Sequence, residues 1–148
     1  MSDRRQFDPD QVKAFNRNVI DEFRANAGAV GGMMTGVPLL LLTTTGARSG
    51  EPRVSPLAYT TDGDRLVVIG AKRGAPTHPA WYHNLLANPA ALVEVGADRF
   101  PVRATEAEDA ERDRLWDQMA EQMPNFKTYP RDTPRRIPVV VLARTDRP

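Results

Sequence analysis

The sequence predicts a mainly β, α+β domain: a six-stranded antiparallel β-barrel, closed or split, with an N-terminal helix and two further helices. Three observations carry this. Short β-prone runs follow one another from Leu39 onward, the turn signals "GARSG", "DGD" and "GAD" separate several of them, and helical periodicity is confined to three stretches. Strand, short turn, strand is the pattern of antiparallel hairpins rather than of parallel βαβ units.

The first element is a helix over residues 9–26, in "DPDQVKAFNRNVIDEFRAN". Asp8 is a good N-cap, Pro9 suits the first helical position, and Gln11 gives a variant of the capping box. Val12, Phe15, Val19, Ile20 and Phe23 recur at spacings of three and four, which gathers them on one face. That face would pack on the domain or, alternatively, lie on a membrane surface.

Four glycines between Gly28 and Gly36 then exclude a helix interior and predict a loop. The segment matches neither the phosphate loop nor the dinucleotide fingerprint. Met33 and Met34 within it would fill core or pack on a flat ligand or lipid.

The expected strands are Leu39–Thr45, Arg53–Thr60, Leu66–Ala71, Ala91–Val95, Arg99–Thr105 and Ile137–Ala143. Two helices interrupt them. One begins with Pro79 at its first position and ends at Asn88-Pro89; the other runs from Glu106 to Gln122 with Ala110, Leu115, Trp116 and Met119 as apolar contacts. No repeat or second domain is apparent, so residues 1–148 read as a single domain.

Composition narrows the chemistry. With 20 basic and 19 acidic residues the net charge is +1, so no whole-molecule field favours nucleic acid. The chain has no cysteine, which excludes disulfides, thiol nucleophiles and cysteine-ligated metals and suits a reducing cytoplasm. The start of the sequence lacks an apolar signal core, and its longest aliphatic run is far below spanning length. A soluble protein, or one touching a membrane from one side, is expected.

Familiar catalytic devices are missing. "GARSG" places Ser49 one position late for a nucleophile elbow, and His78 and His83 would stand about 140° apart on a helix, which makes them poor joint ligands for a metal. What remains is basic and aromatic: Arg48, Arg53, Lys72, Arg73 and Trp81, with Ser49 and Ser55 beside them. Arginine forks and a lysine suit phosphate or carboxylate, and Trp offers a wall for a ring system. A ligand with an anionic tail and a flat aromatic head would fit. Each residue also has a plainer use, with Arg48 solvated at a turn, Lys72 and Arg73 as loop charges and Trp81 in the core.

The segments "LLLTTTGARSGEPRVSPLAY", "DGDRLVVIGAKRGAPTHPAWYHNLLANP" and "YPRDTPRRIPVVVL" resemble the deazaflavin-dependent nitroreductase and quinone reductase family, actinobacterial oxidoreductases of the flavin-binding split-barrel fold. The resemblance runs from Phe15 to Leu142. It implies coenzyme F420 (an 8-hydroxy-5-deazaflavin with a phosphate and polyglutamate tail), with FMN as the alternative. It also implies that Ala47, Arg48, Ser49, Arg53, Val54, Ser55 and Pro56 hold the coenzyme, Arg48 and Arg53 toward its anionic part. Ile69, Gly70, Ala71 and Lys72 would line it from the next hairpin, and Ala80 and Trp81 would complete the pocket.

The implied reaction is hydride transfer from the reduced deazaflavin to an electron-poor acceptor: a quinone, an activated enone or a nitroaromatic. The acceptor pocket would include Trp81, Met123, Phe126 and Tyr129. Characterised nitroreductases of the family carry tyrosines where this chain has Met123 and Phe126, which removes two hydroxyls and favours a quinone or other unsaturated carbonyl over a nitroimidazole. The expected partner is a small-molecule acceptor and no nucleic acid. Peripheral contact with the inner face of the membrane would bring a cytoplasmic enzyme to a lipid-soluble quinone, as a monomer or homodimer. A non-catalytic flavin- or lipid-binding module of the same fold is the alternative.

Overall fold

A computed structural model describes residues 9–32, 36–71, 77–127 and 136–146. Among them, seven strands form one sheet: β1 (Leu39–Thr45), β2 (Pro52–Ala58), β3 (Thr60–Asp62), β4 (Arg65–Ile69), β5 (Ala90–Val95), β6 (Asp98–Glu106) and β7 (Val139–Arg144). Three helices accompany them, α1 (Pro9–Ala25), α2 (Ala80–Ala87) and α3 (Asp109–Gln122), and a 3-10 turn covers Pro124–Lys127. The strand order is β2-β1-β5-β6-β7-β4-β3, and every neighbouring pair is antiparallel.

The seventh strand corrects the expected six. Arg53–Thr60, read as one strand, divides at Tyr59 because its two parts have different partners: Pro52–Ala58 pairs with β1, and Thr60–Asp62 pairs with β4. These two parts are the opposite edges of the sheet. One bent segment of chain therefore joins the edges, closing the sheet covalently where no strand ladder closes it. Two other boundaries move for local reasons. The last strand starts at Val139 because Pro138 has no N–H to give a ladder, and the third helix starts at Asp109 because Glu106 is still paired with Val140.

The core clusters show the curl directly. Leu40 and Leu42 of β1 share one buried cluster with Val68 of β4, Val93, Val102, Val140 and Leu142, and with Trp81 and Leu85 of α2. Strands from both ends of the sheet thus face one interior, with α2 against it. Outside, α3 covers β4 and β7: Leu115, Met119 and Ala120 pack on Val67, Ile69, Val139 and Val141. Arg114 extends that contact by donating to Asp62 at 3.1 Å, and Gln118 donates to Thr60 Oγ1 at 2.8 Å.

The other outer patch belongs to α1. Val19 and Phe23, one turn apart, are buried against Leu39 and Leu41, with Phe15, Ile20 and Val54 packed beside them. This is the domain-packing use of the apolar face. The expected cap, Asp8, lies outside the described residues, as do Met33 and Met34. α1 ends as the Gly28 N–H donates to Phe23 O at 2.8 Å, with Gly28 at φ +97. A Cβ on Gly28 would lie 2.8 Å from Gly96 Cα in the β5–β6 turn. The chain crosses there with no room for a side chain.

Candidate functional site

The turn joining β1 to β2 is built almost entirely from its own hydrogen bonds. Gly46 N–H donates to Glu51 O at 2.8 Å, Gly50 N–H to Gly46 O at 2.9 Å, and Glu51 N–H to Ser49 Oγ at 3.2 Å. Space at Gly46 is tight: a Cβ would sit 2.5 Å from Ser49 Oγ and 3.2 Å from Glu51 O, so the Ser49 side chain would have to turn away. The Ala47 N–H leaves the turn to donate to Asn84 Oδ1 of α2 at 2.9 Å.

That leaves the consecutive N–H groups of Arg48 and Ser49 with no partner among the described residues. Adjacent backbone N–H groups without a protein partner can serve as donors to an anion. Arg48 is exposed beside them, with no ion pair to any described residue. Arg53 makes only a loose pair with Glu51, 3.9 Å apart, both side chains being more than half exposed. Two guanidinium groups and two backbone donors therefore fit the anionic part of a ligand.

Register sorts the rest of β2 by face, because residues directly opposite in an antiparallel pair share a side. Arg53 is opposite Thr44, Ser55 opposite Leu42 and Leu57 opposite Leu40. These three stand on the inner face, the side of Trp81 and Asn84. Val54 and Pro56, opposite Thr43 and Leu41, stand on the outer face, and Val54 packs in the α1 cluster. The structure thus brings Ala47, Arg48, Ser49, Arg53 and Ser55 toward one side and sends the Val54 and Pro56 side chains to the other.

The next hairpin reaches the same end of the barrel by its backbone. Gly70 N–H donates to Pro138 O at 2.9 Å, and a Cβ on Gly70 would lie 3.5 Å from Pro79, the residue that precedes α2. Pro79 is the N-cap rather than the first helical residue as expected. Ile69 and Ala71 are buried in the α3 cluster, so their side chains face away from the cradle. Lys72 and Arg73 lie outside the described residues. On α2, Ala80 is exposed and Trp81 is buried among Leu40, Leu42 and Val68.

Of the residues expected around the acceptor, Phe126 is 8% exposed and packs edge-on against Trp116, with ring centroids 6.4 Å apart. Met123 is half-buried on the same α3 cluster, and Tyr129 lies outside the described residues. Tyr82 donates to Glu106 at 2.5 Å; burial, and then that carboxylate, push its phenol up to about 12, so it stays neutral and ties α2 to β6. His78 meets the Tyr82 ring at a tilt and His83 meets it edge-on. Among the described residues no cluster of His, Cys, Asp or Glu could hold a metal ion.

Two open hollows of about 370 Å³ lie elsewhere, one beside Arg24 and Arg99, the other over Trp116. Both carry carboxylates beside their arginines, Glu94 and Asp98 in the first and Asp113 and Asp117 in the second. Sequence reasoning missed Asn84. Its signal was available, a carboxamide inside the apolar run of "AWYHNLLA", where only a hydrogen-bonded use explains burial.

A family model described as F420H(2)-dependent quinone reductase matches residues 15–144. An F420H(2)-dependent quinone reductase of Mycobacterium tuberculosis strain H37Rv is 42% identical over 126 residues, covering 82% of this chain and 85% of the relative. A solved F420-H2 dependent reductase, FDR-A, is 38% identical with a TM-score of 0.66, over 71% of this chain and 93% of its own. A solved domain-swapped dimer is 32% identical with a TM-score of 0.68, over 90% of this chain and 97% of its own. The curled sheet is the split barrel that the resemblance implied. Its fold, its turn motif and these relatives agree: the chain belongs to the F420H(2)-dependent quinone reductase family.

Proposed function

We propose that the β1–β2 turn and the inner face of β2 form the coenzyme cradle of this oxidoreductase, which passes a hydride from reduced F420 to a quinone. The carrying observation is the pair of unpartnered N–H groups at Arg48 and Ser49 beside two weakly engaged arginines. When bound, the reduced coenzyme supplies the hydride from its deazaflavin ring. The chain's own work is to hold and orient. Arg48, Arg53 and the turn N–H groups take the phosphate and tail carboxylates; Ser55 on the inner face and the backbone at Gly70 flank the head; Trp81 backs that wall from within the core. No side chain has to act as a nucleophile, and the rate follows from positioning and from exclusion of water.

Met123 and Phe126 carry no hydroxyl to offer an acceptor, which supports a quinone or another unsaturated carbonyl; both pack in the α3 cluster, away from Trp81 in the barrel interior, so the grouping of these residues in one acceptor pocket is not kept. Residues 1–148 act as one domain, with the helix over 9–26 part of it. Among the described residues no helix is long and apolar enough to cross a membrane. We place the enzyme in the cytoplasm, with peripheral contact to the inner face as the finer reading. Since α1 commits Val19 and Phe23 to the domain, that contact would need another surface, and co-sedimentation with anionic vesicles at low salt tests it. The domain-swapped relative supports a homodimer, which light scattering of the purified protein would read.

Fluorescence titration with F420 and with FMN tests the cradle. Tight binding of F420 and weak binding of FMN is expected. Preference for FMN, or binding of neither, would overturn the reading.

A further inference from the structure

We propose that Asn84 is a positioning residue for the coenzyme, holding the Arg48 turn in the shape that leaves its Arg48 and Ser49 N–H groups available to a ligand. This rests on the reading of that turn as the cradle. Asn84 is 7% exposed, on the face of α2 that meets the barrel interior. A carboxamide buried there must satisfy both ends. Its Oδ1 accepts the Ala47 N–H at 2.9 Å, and its Nδ2 donates to Thr44 Oγ1 at 3.1 Å. Thr44 is itself buried and directly opposite Arg53. One side chain from a helix distant in sequence therefore grips the end of β1 and the first residue of the turn together.

The consequence lies in the donor accounting. Four of the six N–H groups from Gly46 to Glu51 are engaged, three of them inside the turn and one by Asn84. Without Asn84 the Ala47 N–H would be released, and Arg48 and Ser49 would lose the fixed neighbour that defines their direction. The β1–β2 ladder from Leu39–Ala58 to Thr45–Pro52 is a backbone pairing, whereas Asn84 reaches only the Thr44 side chain and the Ala47 N–H. Asn84 thus acts on the turn's orientation rather than on the strands. A carboxamide makes both contacts at once, whereas Asp would keep the acceptor and lose the donor, and Leu would lose both at similar volume.

The test compares F420 with its tailless chromophore, the same deazaflavin lacking phosphate and glutamates, by fluorescence titration of the full chain. Asn84→Leu is expected to weaken F420 binding about tenfold, the size that loss of a satisfied hydrogen-bond pair supports, and to leave the chromophore's affinity within about twofold. Arg48→Ala should cost less affinity in the Asn84→Leu background than in the wild type, because the two act through one turn. Equal weakening of both ligands, or additive effects of the two substitutions, would overturn the proposal and leave Asn84 as a structural residue only. If Asn84→Leu fails to fold, Thr44→Val carries the same comparison by removing one of the two contacts, with the same pattern expected and the same results contradicting it. Should Arg48→Ala in the wild type leave F420 affinity unchanged, the cradle reading fails and this proposal with it; a normal Arg48 effect with an additive double variant overturns this proposal alone.

Discussion

Arg53 lies directly opposite Thr44 across the β1–β2 pair, on the face of the sheet where Thr44 meets Asn84. An arginine in an apolar strand is thereby placed at the mouth of the barrel, with Arg48 on the turn above it. Its carboxylate neighbour, Glu51, is 3.9 Å away and largely exposed, too weak a partner to account for the position.

Arg48→Ala and Arg53→Ala are each expected to weaken F420 binding by about tenfold or more, as loss of a charge-assisted contact to an anion does. Thermal stability should change little, since both side chains are exposed and exposed charges shift stability by only about 0.5 kcal/mol. Titration paired with thermal melts separates the two quantities. Unchanged affinity in both variants would show that the arginines face only solvent.

Phe126 behaves differently because its ring is in the α3 cluster, against Trp116. Phe126→Ala should cost about 3–5 kcal/mol of stability, the range for emptying a buried aromatic site. Chemical denaturation reads this. A loss well under 1 kcal/mol would mean that the ring is not part of the packed core.

Gly28→Ala adds a Cβ at φ +97, 2.8 Å from Gly96 Cα, where the opposing atom is backbone and cannot rotate away. A cost of about 1–3 kcal/mol is expected from strain and overpacking together. Gly36→Ala, also at positive φ but with nothing within 4 Å, should cost less. Equal melts for the two variants would contradict the close crossing of α1 and the β5–β6 turn.

Asp62 accepts hydrogen bonds from Arg114 and Arg65, which hold its carboxyl at about 2 against an ordinary 3.8. A depressed carboxyl stabilises the fold above its unfolded pKa, and that contribution is lost as pH falls through the folded value. The melting-temperature gap between wild type and Asp62→Asn should therefore be full above about pH 4 and shrink toward about pH 2. A gap that stays constant over that window would show that the link between α3 and β3 is not electrostatic.

Local chemistry made most of the fold legible. Proline at the head of α1, glycine-bearing turns and runs of β-branched and leucine residues gave element types and positions to within a few residues. The division at Tyr59 was not legible, because Pro52–Asp62 reads as one extended run and only the tertiary separation of β1 from β4, the neighbours with which its halves pair, divides it. For the same reason the family motif grouped Val54 and Pro56 with Arg53 and Ser55, although alternation along β2 sends them to opposite faces. For Asn84 the carboxamide in an apolar helix run was a legible sign of a buried hydrogen-bonded use, but its partners Thr44 and Ala47, forty and thirty-seven residues away, were not.

The most direct test of the central claim is the absorbance of reduced F420 mixed with the purified protein and a water-soluble menaquinone analogue. Protein-dependent oxidation of the coenzyme, slowed by Arg48→Ala, is the predicted result. No oxidation above the protein-free rate with several quinones, while F420 still binds, would contradict it.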